Sequence, residues 1–383
     1  MVDGELGAIT IRGFRSIREI DSFELQSINV LIGANGSGKS NVLGIFTFLR
    51  AVQEGRMQDY VARQGGAERI LHFGARQTPR LEIELSFCID EVLRNTYRIE
   101  LQPTADDRLY PSEEWAGFWN PDEYDAPREE ELPDAPRGEA GISASDLTKI
   151  ARWVHRRLGM WTTFHFHDTS VSAPLRRTAR LNDNRRLRPD GSNLPAFLYL
   201  LRERHAGAYQ AIRRAVRRVT PFFDDFVLEP LALSPDSIRL EWRHQGSDQH
   251  FDVASLSDGS LRFIALATLL LQPEELRPSI ILVDEPELGL HPSAITMLGS
   301  LVRMAAEGAQ VILSTQSSLL LDQFEPEDVI VAERHDMATT LRRLDPEPLR
   351  KEYSLGQLWE KNELGGRPSG GASSRCLAGS TAG

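Results

Sequence analysis

The stretch VLIGANGSGKSN, residues 30–41, constrains what this chain can fold into more than any other segment. An apolar run enters a turn containing Gly33, Gly36 and Gly38, and Lys39 and Ser40 follow at the spacing G-x-x-x-x-G-K-[ST]. Glycines let backbone N–H groups curl around a phosphate with no Cβ in the way. A helix starting near Lys39 would aim its positive end at the same phosphate, and the Lys39 ammonium would bridge two of its oxygens. The Ser40 hydroxyl is a hard oxygen donor suited to Mg²⁺. Asn35, Gly36, Ser37, Gly38, Lys39, Ser40 and Asn41 are therefore candidate phosphate-binding residues, with a strand expected before them and a helix after.

A phosphate loop of this kind needs a metal-holding acid at the end of a neighbouring strand. SIILVDEPELGLHP supplies Asp284 directly after four apolar residues, and Glu285 beside it could polarise an attacking water. Taken alone, two acids after a strand equally suit a helix N-terminus. Just upstream, SLSDGSLRF places Ser257 and Gly259 ahead of the apolar run LRFIALATLLL, a pattern that by itself reads as a helix cap.

Periodicity organises the rest. SIILVD and QVILST are short apolar runs, expected as parallel strands covered on both faces and followed by helices. LEIELSF, YRIELQP and SIRLEW alternate with period two and predict an antiparallel layer. Residues 194–218 carry apolar side chains at helical spacing and predict two helices broken near Gly207. His165 and His167 in FHFHD would share one strand face with Asp168 pointing the other way, which suggests structural or interface roles rather than a metal centre. Cys88 reads as buried packing, and with Cys376 it offers no disulfide framework or metal-ligand spacing.

The net charge of −11 over 383 residues argues at first against nucleic acid, yet the charge is segmented. Thr104–Ala140 holds twelve acids against three arginines, net −9, whereas Gly141–Thr220 holds sixteen basic residues against five acids, net +11. Arg213, Arg214, Arg217 and Arg218 fall on one side of a helix, where like charges cost stability unless something neutralises them. DNA phosphates could do so, and the acidic stretch could cover them in the absence of DNA. No apolar run approaches eighteen residues and the start lacks signal-peptide character, so a cytoplasmic location is expected.

With the phosphate loop upstream and ILVDEP downstream, LSDGS at residues 256–260 resembles the signature motif of ATP-binding cassette ATPases, specifically their RecF and SMC-like branch. ITIRGFRSIREI resembles that branch's N-terminal strand and PELGLHP its D-loop. Small predicted ATPases of similar length resemble this chain further in FHDTS, DGSNL and YSLGQLWEKN, so the likeness covers nearly everything except the acidic stretch and the tail.

The resemblance implies an α/β fold: an ABC/RecF-type P-loop ATPase head with a mixed sheet, an antiparallel β layer and a helical lid insert. It implies ATP and Mg²⁺ as cofactors, with Ser40 and Asp284 on the metal and Glu285 as catalytic carboxylate. It also implies a homodimer that sandwiches ATP, with Ser257 and Gly259 reaching the γ-phosphate held by the other protomer. Gln316 stands where the family has a switch histidine, so hydrolysis is expected to be slow. The expected units are an N-terminal ATPase lobe (1–103), a flexible acidic insert (104–140), a basic helical lid (141–228), a C-terminal ATPase lobe (229–364) and a disordered tail (365–383). The expected function is DNA-directed ATPase action, in repair or anti-phage defence, with a separate effector protein and no membrane. A transporter's ATPase subunit and a nucleotide-gated scaffold with little hydrolysis are the alternatives.

Overall fold

The computed structural model describes residues 4–89, 92–347, 349 and 352–366. The chain begins with β1 (Glu5–Phe14) and β2 (Ile17–Glu24), then β3 (Ile28–Ile32) delivers it into α1 (Lys39–Gln53). Short helices α2 (Met57–Arg63) and α3 (Ala67–Ile70) lead to β4 (Leu81–Cys88), β5 (Arg94–Pro103), β6 (Leu109–Trp119) and β7 (Arg128–Glu131). After α4 (Lys149–Leu158) come β8 (Trp161–Phe164), β9 (Ala179–Arg180), α5 (Leu194–Arg204) and α6 (Ala206–Val219). Short strands follow as β10 (Phe223–Val227), β11 (Pro230–Leu231), β12 (Ser234–Ile238), β13 (Glu241–His244) and β14 (His250–Asp252). The C-terminal part holds α7 (Asp258–Leu271), β15 (Ile280–Asp284), α8 (Pro292–Ala306), β16 (Gln310–Ser314), α9 (Ser318–Leu321), β17 (Val329–His335), β18 (Ala338–Arg343) and α10 (Leu355–Glu360).

The apolar runs form the expected parallel strands. The central sheet has the order β18-β17-β3-β16-β15-β8, parallel throughout except for the β17–β18 hairpin. Alternate side chains feed opposite cores. Val30, Ile281, Val283 and Val311 pack with α7 and α8, whereas Leu31, Leu282 and Ile312 pack with α1 and the second sheet. That second sheet is antiparallel, in the order β2-β1-β4-β5-β6-β7. Because α1 lies between the two sheets it is apolar nearly all round, with Val42, Ile45, Phe46, Phe48, Leu49 and Val52 buried. Among the described residues, no helix is long and apolar enough to cross a membrane.

Several expectations are corrected. The acidic stretch is not a flexible insert: β6 and β7 extend the antiparallel sheet, and Glu114 is buried within it. Tyr97 Oη donates to Glu114 Oε1 at 2.8 Å, Ile142 N to the same oxygen at 2.9 Å, and Gly141 N to Oε2 at 2.6 Å. Burial raises the carboxyl's pKa, and these three donors oppose it. Glu114→Gln would set an amide N–H against a backbone or phenol donor, so it should lower stability by about 1–3 kcal/mol. Urea unfolding of parent and variant checks this, and an unchanged midpoint would contradict the network.

The basic region is not purely a lid, because β8 within it is an edge strand of the central sheet. The helix break falls at His205, in a non-helical conformation, and Gly207 lies inside α6. SIRLEW divides into β12 and β13. Ile238, Leu240 and Trp242 all stay buried, so its period of two holds while its hydrogen-bonding partners change from β9 and β11 to β10 and β14. Cys88 is half-buried at the end of β4 rather than in the core. Cys376 and residues 367–383 of the expected tail lie outside the described residues, whereas Gly365 and Gly366 lie within them.

Candidate active site

The phosphate loop spans the gap between β3 and α1, as its spacing demands. Gly38 precedes the helix with φ 106°, and a Cβ there would come within 2.0 Å of Thr339 Oγ1, so the position admits only glycine. Thr339, on β18, donates to Ser37 O at 2.8 Å and shares a 2.7 Å hydroxyl hydrogen bond with Ser16. Asn41 Nδ2 donates to Ser16 Oγ at 2.7 Å. Ser16 and Thr339 thus brace the loop from outside. Ser16 belonged to a recognised motif, but nothing in the sequence marked Thr339. The Lys39 ammonium is buried and donates to Gly33 O at 2.6 Å and Ala34 O at 3.1 Å. Burial lowers its pKa, while Glu285, Asp284 and Glu287 pull it back up.

The parallel register brings the acids to the same end of the sheet. Ser40 Oγ donates to Asp284 Oδ2 at 3.3 Å, and the Ser314 hydroxyl donates to Asp284 Oδ1. Among the described residues, no group of three His, Cys, Asp or Glu side chains forms a metal cage. One carboxylate and one hydroxyl are instead what a Mg²⁺ completed by water and phosphate oxygens requires. Pairing of Phe164 with Val283 carries His165 to the level of Asp284. Its imidazole has a lowered pKa from the atoms packed around it and from His167, opposed by Asp284. His165, expected in a structural or interface role, flanks the candidate metal site; the β8–β15 pairing that puts it there had no local signal.

Glu285 adopts φ 41°, which is strained for a non-glycine residue, and its N–H donates to Ser314 O at 3.0 Å. The Gln316 amide donates to Glu285 Oε1, so the two candidate catalytic side chains meet directly. Glu287, missed in the sequence, holds the other side of this junction. Its buried Oε1 accepts from Thr315 Oγ1 at 2.6 Å and from Gln316 N at 3.0 Å. Burial raises its pKa against those hydrogen bonds.

Ser257 caps α7 by accepting from Ser260 N at 3.1 Å, and it is exposed. Gly259 lies against the Gly289 carbonyl. Arg176 holds Asp258 at 2.8 Å, and the buried Arg262 donates to Phe166 O and His167 O at 2.9 and 2.7 Å. Through Arg262, α7 is thereby pinned to the segment carrying His165. Neither arginine stood out from its basic neighbours in the sequence.

The α6 arginines are not equivalent. Arg213 pairs with Asp224 at 3.0 Å and Asp225 at 3.3 Å, and Arg217 lies 3.8 Å from Asp224, which Arg243 also holds at 2.7 Å. Arg214 and Arg218 are exposed. The acids that neutralise this helix are those of β10, not those of residues 104–140.

This fold and loop define a P-loop domain whose architecture is that of an SMC head. A family model described as "AAA domain, putative AbiEii toxin, Type IV TA system" matches residues 28–322, and the chain belongs to that family. Among solved structures it is similar to an SMC head bound to the C-winged-helix domain of ScpA, with TM-score 0.59 and 14% identity over 89% of this chain and 98% of that one. An SMC head domain from Thermotoga maritima gives TM-score 0.48 and 14% identity over 89% of this chain and 99% of that one. At 14% identity the likeness to the ScpA-bound head, with its TM-score of 0.59, concerns the fold alone. A curated relative, the Old nuclease of Escherichia phage P2, is 37% identical over 76 residues. The matched segment is 20% of this chain and 13% of that protein.

Proposed function

We propose that the chain binds and hydrolyses ATP, closes as an ATP-sandwiched homodimer, and acts on DNA with a separate effector protein. The observation that carries this reading is the convergence of Lys39, Ser40, Asp284, Glu285 and Gln316 at one end of the parallel strands. Bound Mg²⁺ would neutralise phosphate charge, held by Ser40 and Asp284. Asn35, Gly36, Ser37, Gly38 and Asn41 present the loop to the phosphates, and Lys39 leaves its loop carbonyls to meet them. Glu285 orients the attacking water and accepts its proton, while Gln316 holds Glu285 in place and offers a neutral donor of fixed protonation. Ser257 and Gly259, on the exposed N-terminus of α7, reach across to the nucleotide of the second protomer. A toxin–antitoxin setting is supported by the family's description, and the likeness to a phage nuclease over 76 residues favours a setting in anti-phage defence.

DNA contact falls to Arg214 and Arg218, because Arg213 and Arg217 already face carboxylates. Exchanging Arg214 and Arg218 for Gln should weaken duplex binding and reduce the slope of log K against log salt by about two. The check is a salt titration of fluorescently labelled duplex on parent and variant. A parent with no DNA affinity at low salt, with and without ATP, would overturn the DNA reading. A parent that binds ATP but releases no phosphate would favour a nucleotide-gated scaffold, the alternative that Gln316 supports.

A further inference from the structure

The peptide unit joining Gly33 to Ala34 is held from both sides. Its carbonyl accepts from the Lys39 ammonium at 2.6 Å, and its N–H donates to Gly366 O at 2.5 Å. In a trans peptide these two groups lie in the peptide plane and point in opposite directions, so Lys39 and Gly366 hold one peptide unit from opposite edges. Gly366 is itself fixed. Its N–H donates to Glu333 Oε1 on β17 at 2.7 Å, and the preceding Leu364 O accepts from Arg342 on β18 at 2.8 Å.

Neither glycine of this pair tolerates a side chain. Gly365 has φ 83°, and a Cβ there would meet Glu333 Oε1 at 2.4 Å. Gly366 has φ 76°, and its Cβ would lie 3.0 Å from Val331, 3.2 Å from Trp359 and 3.3 Å from the Gly33 Cα. An unattached, glycine-rich segment requires neither left-handed backbone nor bonding at both its N–H and its C=O.

We propose that Gly365, Gly366 and Glu333 form a clasp that positions the nucleotide-binding loop. The inference rests on the reading of residues 33–41 as the ATP phosphate site. The clasp holds the hinge at which β3 turns into the loop. With that peptide plane fixed, the Gly33 and Ala34 carbonyls define where Lys39 rests, and the N–H groups beyond them stay aimed at the phosphates. These are positioning residues: they act through the Gly33–Ala34 peptide and through Lys39.

The test compares full-length parent with Gly366→Ala, Glu333→Ala, Glu333→Gln and Lys39→Ala, using Mg-ATP calorimetry, nucleotide-free melting, and hydrogen–deuterium exchange of the peptide containing Ala34. Gly366→Ala and Glu333→Ala should weaken Mg-ATP affinity about tenfold and speed exchange at the loop; the nucleotide-free melting temperature should stay near parent for Glu333→Ala and fall for Gly366→Ala, whose added methyl group crowds Val331 and Trp359 on a left-handed backbone. Glu333→Gln keeps a carbonyl oxygen for the Gly366 N–H and should behave as parent. If Lys39→Ala loses ATP while Gly366→Ala and Glu333→Ala bind it as tightly as parent, the clasp is overturned and the phosphate-site reading stands. If Lys39→Ala binds as parent, the phosphate-site reading fails, and loop exchange unaltered by Gly366→Ala and Glu333→Ala would overturn the clasp on its own.

Discussion

Lys39→Ala protein is expected to lose Mg-ATP affinity by roughly 100-fold or more, because charge-assisted hydrogen bonds to phosphate contribute about 1.5–3 kcal/mol each. The loop itself should survive, since Gly38, Thr339 and Ser16 hold it without the ammonium. Ser257→Arg protein should bind ATP yet fail to hydrolyse it, because the exposed cap would put a guanidinium where the second protomer's γ-phosphate must sit. Mixing the two inactive proteins makes the decisive measurement. In a heterodimer one composite site carries both defects, while the other joins an intact loop to an intact signature. Phosphate release should therefore return, to at most one site per dimer. Differently tagged chains establish that heterodimers have formed. Heterodimers without activity would contradict sites completed in trans by independent protomers.

Glu287 should matter almost as much, though it takes no part in the proposed proton transfer. Glu287→Ala leaves Thr315 Oγ1 and Gln316 N without their shared acceptor and frees the segment that sets Gln316 against Glu285. A displacement of about 1 Å near the reacting centre costs on the order of 100-fold in rate, so kcat should fall by about that factor. Mg-ATP affinity should stay near the parent value, since Glu287 lies on the hydrolytic side of the site rather than in the loop. Glu287→Gln retains a carbonyl acceptor and should recover most of the activity. Single-turnover hydrolysis beside calorimetry separates the two effects. An Ala variant with parental kcat would remove Glu287 from the mechanism.

The candidate site, written in contiguous segments, was legible. A phosphate loop is a local backbone device, so Gly33 to Asn41 declared it, and LVDE and LSDGS needed only their order along the chain to acquire meaning. The apolar runs of β15 and β16 likewise revealed a sheet covered on both faces. Charge counting was less informative. It located the basic segment, but Asp224 lies just beyond the counted stretch and folds back onto Arg213 and Arg217. The acidic stretch looked solvated because its acids come in adjacent pairs and runs, and only the pairing of β6 with β5 and of β7 with β6 shows that part of it is sheet.

By itself, then, the sequence supplied the parts of the proposed chemistry: a phosphate loop, a candidate metal-binding acid, a candidate catalytic carboxylate and a candidate signature cap, each encoded within a few neighbouring residues. Only the tertiary structure decided what holds these parts in register. Thr339 reaches Ser37 from 302 positions away, and Ser40 reaches Asp284 from 244. His165 meets the level of Asp284 through strand pairing, and Gly366 closes on Ala34 from near the other end of the described chain. The reason is physical. A backbone turn or a helix cap follows from local dihedral preferences, whereas a hydrogen bond between distant residues exists only once sheet register and core packing have brought them together.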